Sequence, residues 1–268
     1  QLRLGALPGR DFVDPGFPLQ YVLSALAQVP AQGPGSEKLL TSAFLALAAA
    51  TTCVGVSWLT GSTVAGVAAA TVQVFMHPRL YSYPKILVPA LMLVLGLAYA
   101  RRPGRWARLT LAGGIAAAFL FRHDLGGYAA LFGIVVATLS SHTWWTRFRE
   151  GLTLATMTLL LLLPYLIYVQ WAEGLPLHVH RGLQFFASEA SDLSFPWPTF
   201  DDTADRWWPW SRSIGDAEVM LFYLAYALPP LAVCLLLAQR WRLPAATVAV
   251  VAGTAALGAG YAAVILRN

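Results

Sequence analysis

Charged residues are scarce in this chain of 268 residues, where Asp, Glu, Lys and Arg together make up 12%. An ordinary soluble domain carries about 25% charged residues. Hydrophobic residues make up 57% of the chain and are arranged in long uncharged runs. This balance argues against a soluble globular domain and indicates an integral membrane protein.

Cysteine is also rare, and several functional motifs are missing. Cys53 and Cys234 both fall inside apolar segments, where cysteine behaves as a small buried hydrophobe and indicates no redox compartment. The sequence has no glycine loop for phosphate, no nucleophile elbow, no His-Glu-x-x-His pair and no basic-aromatic stripe. We therefore expect no nucleic-acid partner.

The first residues, Gln1-Leu2-Arg3-Leu4, include no initiator Met and lack the basic segment and apolar run of a cleavable signal. The chain stops at Asn268, just after an apolar segment. We expect it to be an excerpt of a longer protein, from which a first membrane helix is missing.

Seven uncharged runs are candidates for membrane segments. They are residues 39–76, 86–100, 109–121, 125–146, 151–172, 219–239 and 243–266. A crossing takes about 20 residues, so the first run predicts two helices with a turn at residues 59–62. Spanning segments must satisfy their own backbone hydrogen bonds, which favours helices. The predicted fold is all-α, a polytopic transmembrane bundle of about eight segments.

The whole chain, 1–268, is expected to form one transmembrane domain. Its parts are an external loop at 1–38, membrane helices at 39–172, a second external loop at 173–218 and membrane helices at 219–268. Within the first loop, residues 18–29 are apolar but too short to cross a hydrocarbon core about 30 Å thick. They predict a helix lying in the membrane interface, with Pro18 at its first position.

Short basic loops alternate with loops that carry the reactive side chains. The basic loops are residues 101–108, 142–150 and 240–242. They hold 8 of the 18 basic residues and only one acid, Glu150, so the positive-inside rule places them in the cytoplasm. The remaining loops must share the opposite, extracytoplasmic face, and they are residues 1–38, 77–85, 122–124 and 173–218. That face gathers nearly every residue capable of chemistry.

Two carboxylates, Asp11 and Asp14, lie in a loop whose glycines and prolines can continue neither a helix nor a central strand. A carboxylate held at the membrane surface could take a proton from an acceptor hydroxyl. The two acids could instead share a divalent cation such as Mg²⁺ or Mn²⁺, although too few further oxygen ligands are evident to assign a metal site. They could also be ordinary acids of a solvated turn.

Cationic residues occur in two of the later loops on the same face. Residues 77–85 contain Arg79, Tyr81 and Lys85, which could bind a phosphate or simply anchor the loop in the headgroup layer. Arg122-His123-Asp124 interrupts a long apolar stretch. Charged residues near membrane depth are costly and usually functional, whereas the alternative is a hairpin tip with Arg122 and Asp124 paired in water.

The long loop at 173–218 carries two histidines, His178 and His180, at a spacing that could ligate zinc. No third ligand is evident, so metal binding there is the weaker interpretation. Four tryptophans follow, and they are most simply an interfacial belt, with stacking on sugar faces as the alternative. They are Trp197, Trp207, Trp208 and Trp210.

Three stretches carry a resemblance to a known family. They are Gly9-Arg10-Asp11-Phe12 with Pro15-Gly16-Phe17-Pro18 after it, the glycine-rich residues 111–121 leading into Arg122-His123-Asp124, and the long loop after residues 151–172. In this arrangement, which covers most of the chain, the protein resembles the GT-C superfamily of membrane glycosyltransferases. These enzymes use polyprenyl-phosphate sugars, and the superfamily includes dolichyl-phosphate-mannose mannosyltransferases and aminoarabinose transferases.

The resemblance implies roles for individual residues. An acid in the first external loop acts as general base in that family, and Asp11 is the matching position. Cations in later external loops bind the carrier phosphate. Many members have a second acid in the loop corresponding to residues 77–85, and this chain has none there. The candidate substrate-binding residues are Asp14, Arg79, Tyr81, Lys85, Arg122, His123 and Asp124.

The expected function is therefore transfer of a sugar from a polyprenyl-phosphate carrier to an acceptor hydroxyl, with inversion, on the extracytoplasmic face of the cell membrane. The partners would be the lipid-linked donor, a glycan, lipid or protein acceptor, and membrane lipids. The main alternative is a polytopic transporter or lipid flippase that uses Arg122-His123-Asp124 for gating or ion coupling. A membrane scaffold without turnover is a third interpretation.

Overall fold

A computed structural model gives the architecture of the chain and describes residues 5–12, 14, 18–30, 33–75, 83–141, 143–192 and 244–266. For residues 83, 185–192 and 257–266 it describes the backbone alone. Most of these residues are helical, and no β-strand occurs among them. The predicted all-α class is confirmed for this part of the chain.

Nine helices are present in the described ranges. They are α1 Pro18–Ala27, α2 Pro34–Thr60, α3 Thr63–Phe75, α4 Tyr83–Arg101, α5 Arg105–Phe121, α6 His123–Leu139, α7 Trp144–Ala172, α8 Leu175–Asp192 and α9 Ala245–Leu266. By length and composition, α2, α7 and the Pro84–Arg101 part of α4 could each cross a membrane. Helices α1, α3 and α6 and the Ala245–Ala256 part of α9 are apolar but shorter. Three such helices are compatible with the membrane location that the composition indicates.

The first long uncharged run forms two helices, as its length predicts. Helix α2 ends at Thr60, and Gly61 follows with a left-handed φ of 72° while its N–H donates to the Ser57 carbonyl. Glycine adopts this conformation without a steric penalty, which makes it a common residue after a helix end. Helix α3 begins at Thr63, so the turn lies where the sequence predicts it.

Helix α1 begins at Pro18, as predicted, and ends at Ala27, two residues earlier than expected. It packs against α5 and α2. Leu19 and Leu23 contact the core, whereas Val22 and Leu26 are exposed. This partly packed apolar helix follows the N-terminal loop and places it against the bundle.

The bundle is built around α5, which packs against α4, α6 and α7, while α9 packs against α6 and α4. Leu111, Phe132 and Val136 are fully buried in its core. Small residues allow the close approach between helices, as the sequence predicts. A Cβ on Gly114 would lie 2.4 Å from Leu95 Cδ1, and one on Gly253 would lie 2.9 Å from Val136 Cγ2.

Two of the three predicted basic loops, residues 101–108 and 142–150, are joined at one end of the bundle, whereas residues 240–242 lie outside the described residues. Arg108 of α5 donates from Nε and Nη2 to the two oxygens of Glu150 in α7, at 2.9 and 2.7 Å. The Tyr99 hydroxyl of α4 donates to Glu150 Oε2 at 2.8 Å. This network ties three helices together at the end where α7 begins.

The turn between α5 and α6 consists of Arg122 alone, whose backbone is extended. Because the turn is so short, α6 folds back directly onto α5. Gly126 lies at this crossing, and a Cβ added there would be 2.5 Å from both Cα and Cβ of Phe119. Gly127, the next residue, is exposed and has open space around it.

Gly126→Ala is expected to lower the thermal stability of the detergent-solubilised protein by about 1–3 kcal/mol, because the new methyl group overlaps the α5 backbone. Gly127→Ala is the matched control. Its free energy of unfolding should be unchanged or up to about 1 kcal/mol higher, because alanine favours the helix. Thermal unfolding of both variants measures the difference. Equal effects of the two substitutions would contradict the close α5–α6 contact.

Candidate functional site

Three of the four loops predicted to share a face meet where α7 ends. The Tyr168 hydroxyl donates to the Pro8 carbonyl of the N-terminal loop at 2.6 Å. Tyr165, one turn earlier, lies 3.3 Å from His123 at the start of α6 and 3.3 Å from His178 in α8. The N-terminal loop, the start of α6 and α8 therefore contact the end of α7, and the shared membrane face of these segments stays a prediction.

The N-terminal loop is a tight turn around Gly9, whose φ is 77°. The Gly9 N–H donates to the Phe12 carbonyl at 2.8 Å, and the Asp11 N–H donates to the Leu7 carbonyl at 2.9 Å. Arg10 adds a cation–π contact, with its guanidinium carbon 5.9 Å from the centre of the Trp171 ring. Together with the Tyr168 bond, this contact holds the loop on the end of α7.

Asp11 lies on the exposed side of this loop. Its carboxylate accepts hydrogen bonds from Arg10 Nε and Nη2 at 3.0 and 2.8 Å and from the Leu7 N–H at 2.8 Å. These bonds, above all those from Arg10, hold the pKa of Asp11 below its ordinary value. Asp11 is therefore ionised across the physiological pH range.

Asp14 is placed differently, with only 5% of its surface exposed. Coulombic interactions couple its carboxylate to Tyr21, His123 and Tyr165. Of the two aspartates in the loop, Asp14 is the one that faces the buried polar groups. The sequence predicts both to lie on one loop but does not distinguish their exposure.

Glu173 is a second buried carboxylate, and the sequence does not single it out. It directly follows α7, and its side chain is 4% exposed. It accepts from His178 Nδ1 and, at 2.7 Å, from Arg181 Nη1. A Cβ on Gly9 would lie 3.2 Å from Glu173 Oε1, so the same carboxylate contacts α8 and the N-terminal loop. The signal in the sequence was an acid at the end of an apolar run, followed after five and eight residues by His178 and Arg181.

A row of polar contacts extends from Glu173 through two histidines and a tyrosine. His178 Nε2 lies 3.3 Å from the Tyr165 hydroxyl, which lies 3.3 Å from His123 Nε2. The His123 ring stacks on Phe119 with centroids 4.4 Å apart. We call Glu173, His178, Tyr165 and His123 the buried chain.

Arg122 and Asp124 flank His123. Arg122 Nε donates to Asp124 Oδ1 at 2.7 Å, and each side chain is 17% exposed. Asp124 Oδ1 also accepts from the Leu125 N–H at 2.9 Å. The pair is thus mostly covered by protein, unlike an ion pair on a fully solvated hairpin tip.

The remaining candidate residues lie away from these contacts or beyond the described ranges. Lys85 is exposed in the first turn of α4, and no described contact joins it to the buried chain. Arg79 and Tyr81 fall outside the residues that the structure describes, as do the four tryptophans at 197–210.

Within the described ranges, no group of three or more His, Cys, Asp and Glu side chains could hold a metal ion. His178 is buried and His180 is exposed on the same helix, so the two rings diverge. Both Asp11 oxygens accept hydrogen bonds from Arg10, and Asp14 is buried. The two aspartates are therefore a poor fit for a shared Mg²⁺ or Mn²⁺ ion.

Burial is the main reason why the pKa of His123 is lowered to about 4, and the neighbouring His178 adds to the lowering. Asp14 and Asp124 act in the opposite direction. His123 lies at the junction of α5 and α6, outside the three helices that could span a membrane. At neutral pH it is an uncharged hydrogen-bonding group.

Comparison with known proteins adds nothing further, because no family model, curated protein or solved structure matches the chain. The site is therefore interpreted from its own geometry.

Acidification is expected to destabilise the protein through His123. Its pKa is lower in the folded chain than in the unfolded one, so only the unfolded chain binds a proton as the pH falls from about 6.5 to about 4. The loss of stability should reach up to about 3 kcal/mol. Thermal unfolding between pH 7 and pH 5 should show a smaller decline for His123→Asn than for wild type.

His180→Gln is the control for this measurement, because His180 is an exposed histidine on the adjacent α8. Its stability should decline with pH as wild type does. A His123→Asn variant that keeps the full wild-type decline would show that His123 does not titrate in this way.

Proposed function

We propose that the chain belongs to a multi-pass membrane glycosyltransferase of the GT-C type. It would transfer a sugar from a polyprenyl-phosphate carrier to an acceptor hydroxyl, with inversion, on the extracytoplasmic face. In this proposal about eight segments cross the membrane, and α1 lies in the interface. The observation that carries it is the meeting of the acidic N-terminal loop, the Arg122-His123-Asp124 turn and α8 at one end of an apolar bundle.

The location of this polar end suits a substrate dissolved in the bilayer. A polyprenyl carrier keeps its chain in the hydrocarbon layer and its phosphate at the boundary with water. An enzyme for such a donor needs acids and cations at the end of its membrane helices. The two ends of α7 provide this asymmetry, because Glu150 and Arg108 lie near its start while Tyr165 and Glu173 lie near its end.

Asp11 is the proposed general base. Its exposure leaves room for an acceptor hydroxyl, and its lowered pKa keeps it ionised at neutral pH. A low pKa also makes it a weak base. A weak base is sufficient here, because the leaving group is a phosphate. The acceptor hydroxyl can then lose its proton late, when its bond to the anomeric carbon is largely formed. The acceptor oxygen would attack the anomeric carbon as Asp11 takes its proton.

Cations are needed where the carrier phosphate leaves with its negative charge. Arg122 is the proposed phosphate ligand among the described residues, with Arg79 and Lys85 of the preceding loop as partners. Its pairing with Asp124 fixes the guanidinium at the α5–α6 turn, where it would lie beside the phosphate of a carrier at the membrane boundary. Asp14, Tyr81 and His123 would then orient the sugar.

Asp11→Asn is the direct test of this proposal. In the full-length protein reconstituted with polyprenyl-phosphate sugars, the variant should transfer sugar about 100-fold or more slowly, which is typical for loss of a general base. Asparagine retains an oxygen that can accept from the Leu7 N–H, so the loop can keep its fold. The rate is measured as labelled sugar transferred to the acceptor.

Glu37→Gln is the matched control, because Glu37 is an exposed acid in the first turn of α2, where its side chain accepts a hydrogen bond from Gln28. Its rate should equal that of wild type. Transfer by Asp11→Asn at the wild-type rate would remove Asp11 from the mechanism. Absence of transfer by wild type with any such donor, together with movement of the lipid across the bilayer, would favour the flippase.

A further inference from the structure

The buried chain is not explained by the proposed transfer reaction. That reaction uses His123 for substrate binding and leaves Tyr165, His178 and Glu173 without a role. Burying the Glu173 carboxylate and the His178 imidazole, with the His123 imidazole half-buried beside them, is costly unless their hydrogen bonds are satisfied. The continuity of the chain therefore calls for an explanation.

Hydrogen positions along the chain follow from Glu173. A carboxylate in its ionised form only accepts hydrogen bonds, so His178 Nδ1 carries a proton and donates it to Glu173. When His178 is neutral, its Nε2 is an acceptor and must receive the Tyr165 O–H. The Tyr165 oxygen then accepts from His123 Nε2–H. In this state His123 Nδ1 carries no proton.

Addition of one proton can reverse the direction of both hydrogen bonds between His123 and His178. A proton that binds His123 Nδ1 allows His123 Nε2–H to pass its proton to the Tyr165 oxygen. The Tyr165 O–H passes its own proton to His178 Nε2. The result is a neutral His123 protonated at Nδ1, an unchanged Tyr165 and a His178 imidazolium beside the Glu173 carboxylate. One proton has been taken up and no other atom has changed place.

We propose that the buried chain is a proton relay, in which a proton taken up at His123 is passed through the Tyr165 hydroxyl to His178 and is held there by Glu173. His123 is the receiving end, and the His178–Glu173 pair is the storage end. His123 Nδ1 faces α8 at Gly182, where an added Cβ would lie 4.0 Å away, so no bulky side chain covers this nitrogen from Gly182.

The charges around the chain favour His178 over His123 as the place where the positive charge stays. Glu173 contacts His178 directly and is 4% exposed, so little water screens the pair. Arg181 shares the same carboxylate and partly offsets this attraction. The titratable and charged groups around the chain that do not belong to it are Asp14, Tyr21, Arg122, Asp124, Tyr168 and Arg181.

The relay as a physical device does not depend on the proposed transfer reaction. Its use in catalysis does, and there it would clear the proton that the acceptor hydroxyl releases. Asp14 is coupled electrostatically to both His123 and Tyr165, and its negative charge favours proton uptake at this end of the chain. The two proposals are therefore tested by separate measurements.

The relay is tested by NMR of the full-length protein in detergent micelles, with ¹³C and ¹⁵N in its histidines. His123→Asn and His178→Asn identify the two rings. When the chain takes up its proton as the pH is lowered, the positive charge should appear on His178 while His123 stays neutral and moves its proton from Nε2 to Nδ1. Both changes should have the same midpoint. A His123 ring that keeps its tautomer while His178 becomes charged would overturn the relay.

Tyr165→Phe and Tyr168→Phe are a matched pair of variants, because each removes one hydroxyl from the same face of α7. Tyr168 bonds the Pro8 carbonyl and lies outside the buried chain. In Tyr165→Phe, His178 should still gain its proton, but His123 should no longer change tautomer at the same pH. Tyr168→Phe should behave as wild type. Unchanged coupling in Tyr165→Phe would also overturn the relay.

A transfer assay addresses the catalytic use of the relay. With wild type active, Tyr165→Phe should lower kcat about 10-fold at pH 7, leave KM within about 2-fold and flatten the pH profile on its acidic side. An unchanged pH profile and kcat would show that the relay does not serve transfer. An inactive wild type would count against the proposed transfer reaction, and the NMR result would still decide the relay.

Discussion

A buried carboxylate must be paired, and the pairing of Glu173 determines how this end of the molecule is built. Its side chain is 4% exposed and binds both His178 and Arg181 of α8. The backbone of Gly9 lies against the same oxygen that His178 contacts. Removing any one partner would leave a charge in a poorly solvated place, which is costly. The last turn of α7, the start of α8 and the N-terminal loop are therefore fixed to one another.

The same constraint explains why the two loop aspartates differ. Tyr168 and Trp171 of α7 hold the loop by Pro8 and Arg10, so the turn that contains Asp11 lies outward and Asp14 is carried inward. Asp11 is stabilised by Arg10 and by a backbone N–H, and it needs no other partner. Asp14 lies among tyrosines and His123. Two aspartates three positions apart in one loop thus provide one exposed base and one buried acid.

Much of the fold follows from the sequence. Uncharged runs predicted α2 to α7 and α9, Gly61 marked the turn between α2 and α3, and Pro18 marked the start of α1. Helix α8 was not predicted, because residues 173–218 were expected to form a loop. The membrane face that the loops share stays a prediction. The composition of a run, however, does not show how deeply a helix is covered, and α3 and α6 are shorter than a full crossing.

The details of the site were harder to predict, because they depend on contacts between residues far apart in the chain. Tyr165 lies inside an apolar run and was not distinguished from its neighbours until His123 and His178 were placed beside it. Glu173 looked like a loop acid, and its burial comes from α8 and the N-terminal loop. Arg79 and Tyr81 remain predictions, since they lie outside the described residues.

The central claim is that the acidic loop, the α5–α6 turn and α8 share one aqueous compartment, opposite the basic loops. It is tested most directly with single cysteines at Arg10, Gly127, His180 and Arg105 in a variant without Cys53 and Cys234, probed in sealed vesicles with a membrane-impermeant maleimide. The account predicts that Arg10, Gly127 and His180 are labelled from one side and Arg105 from the other. Labelling of Gly127 or His180 from the side that labels Arg105 would contradict it.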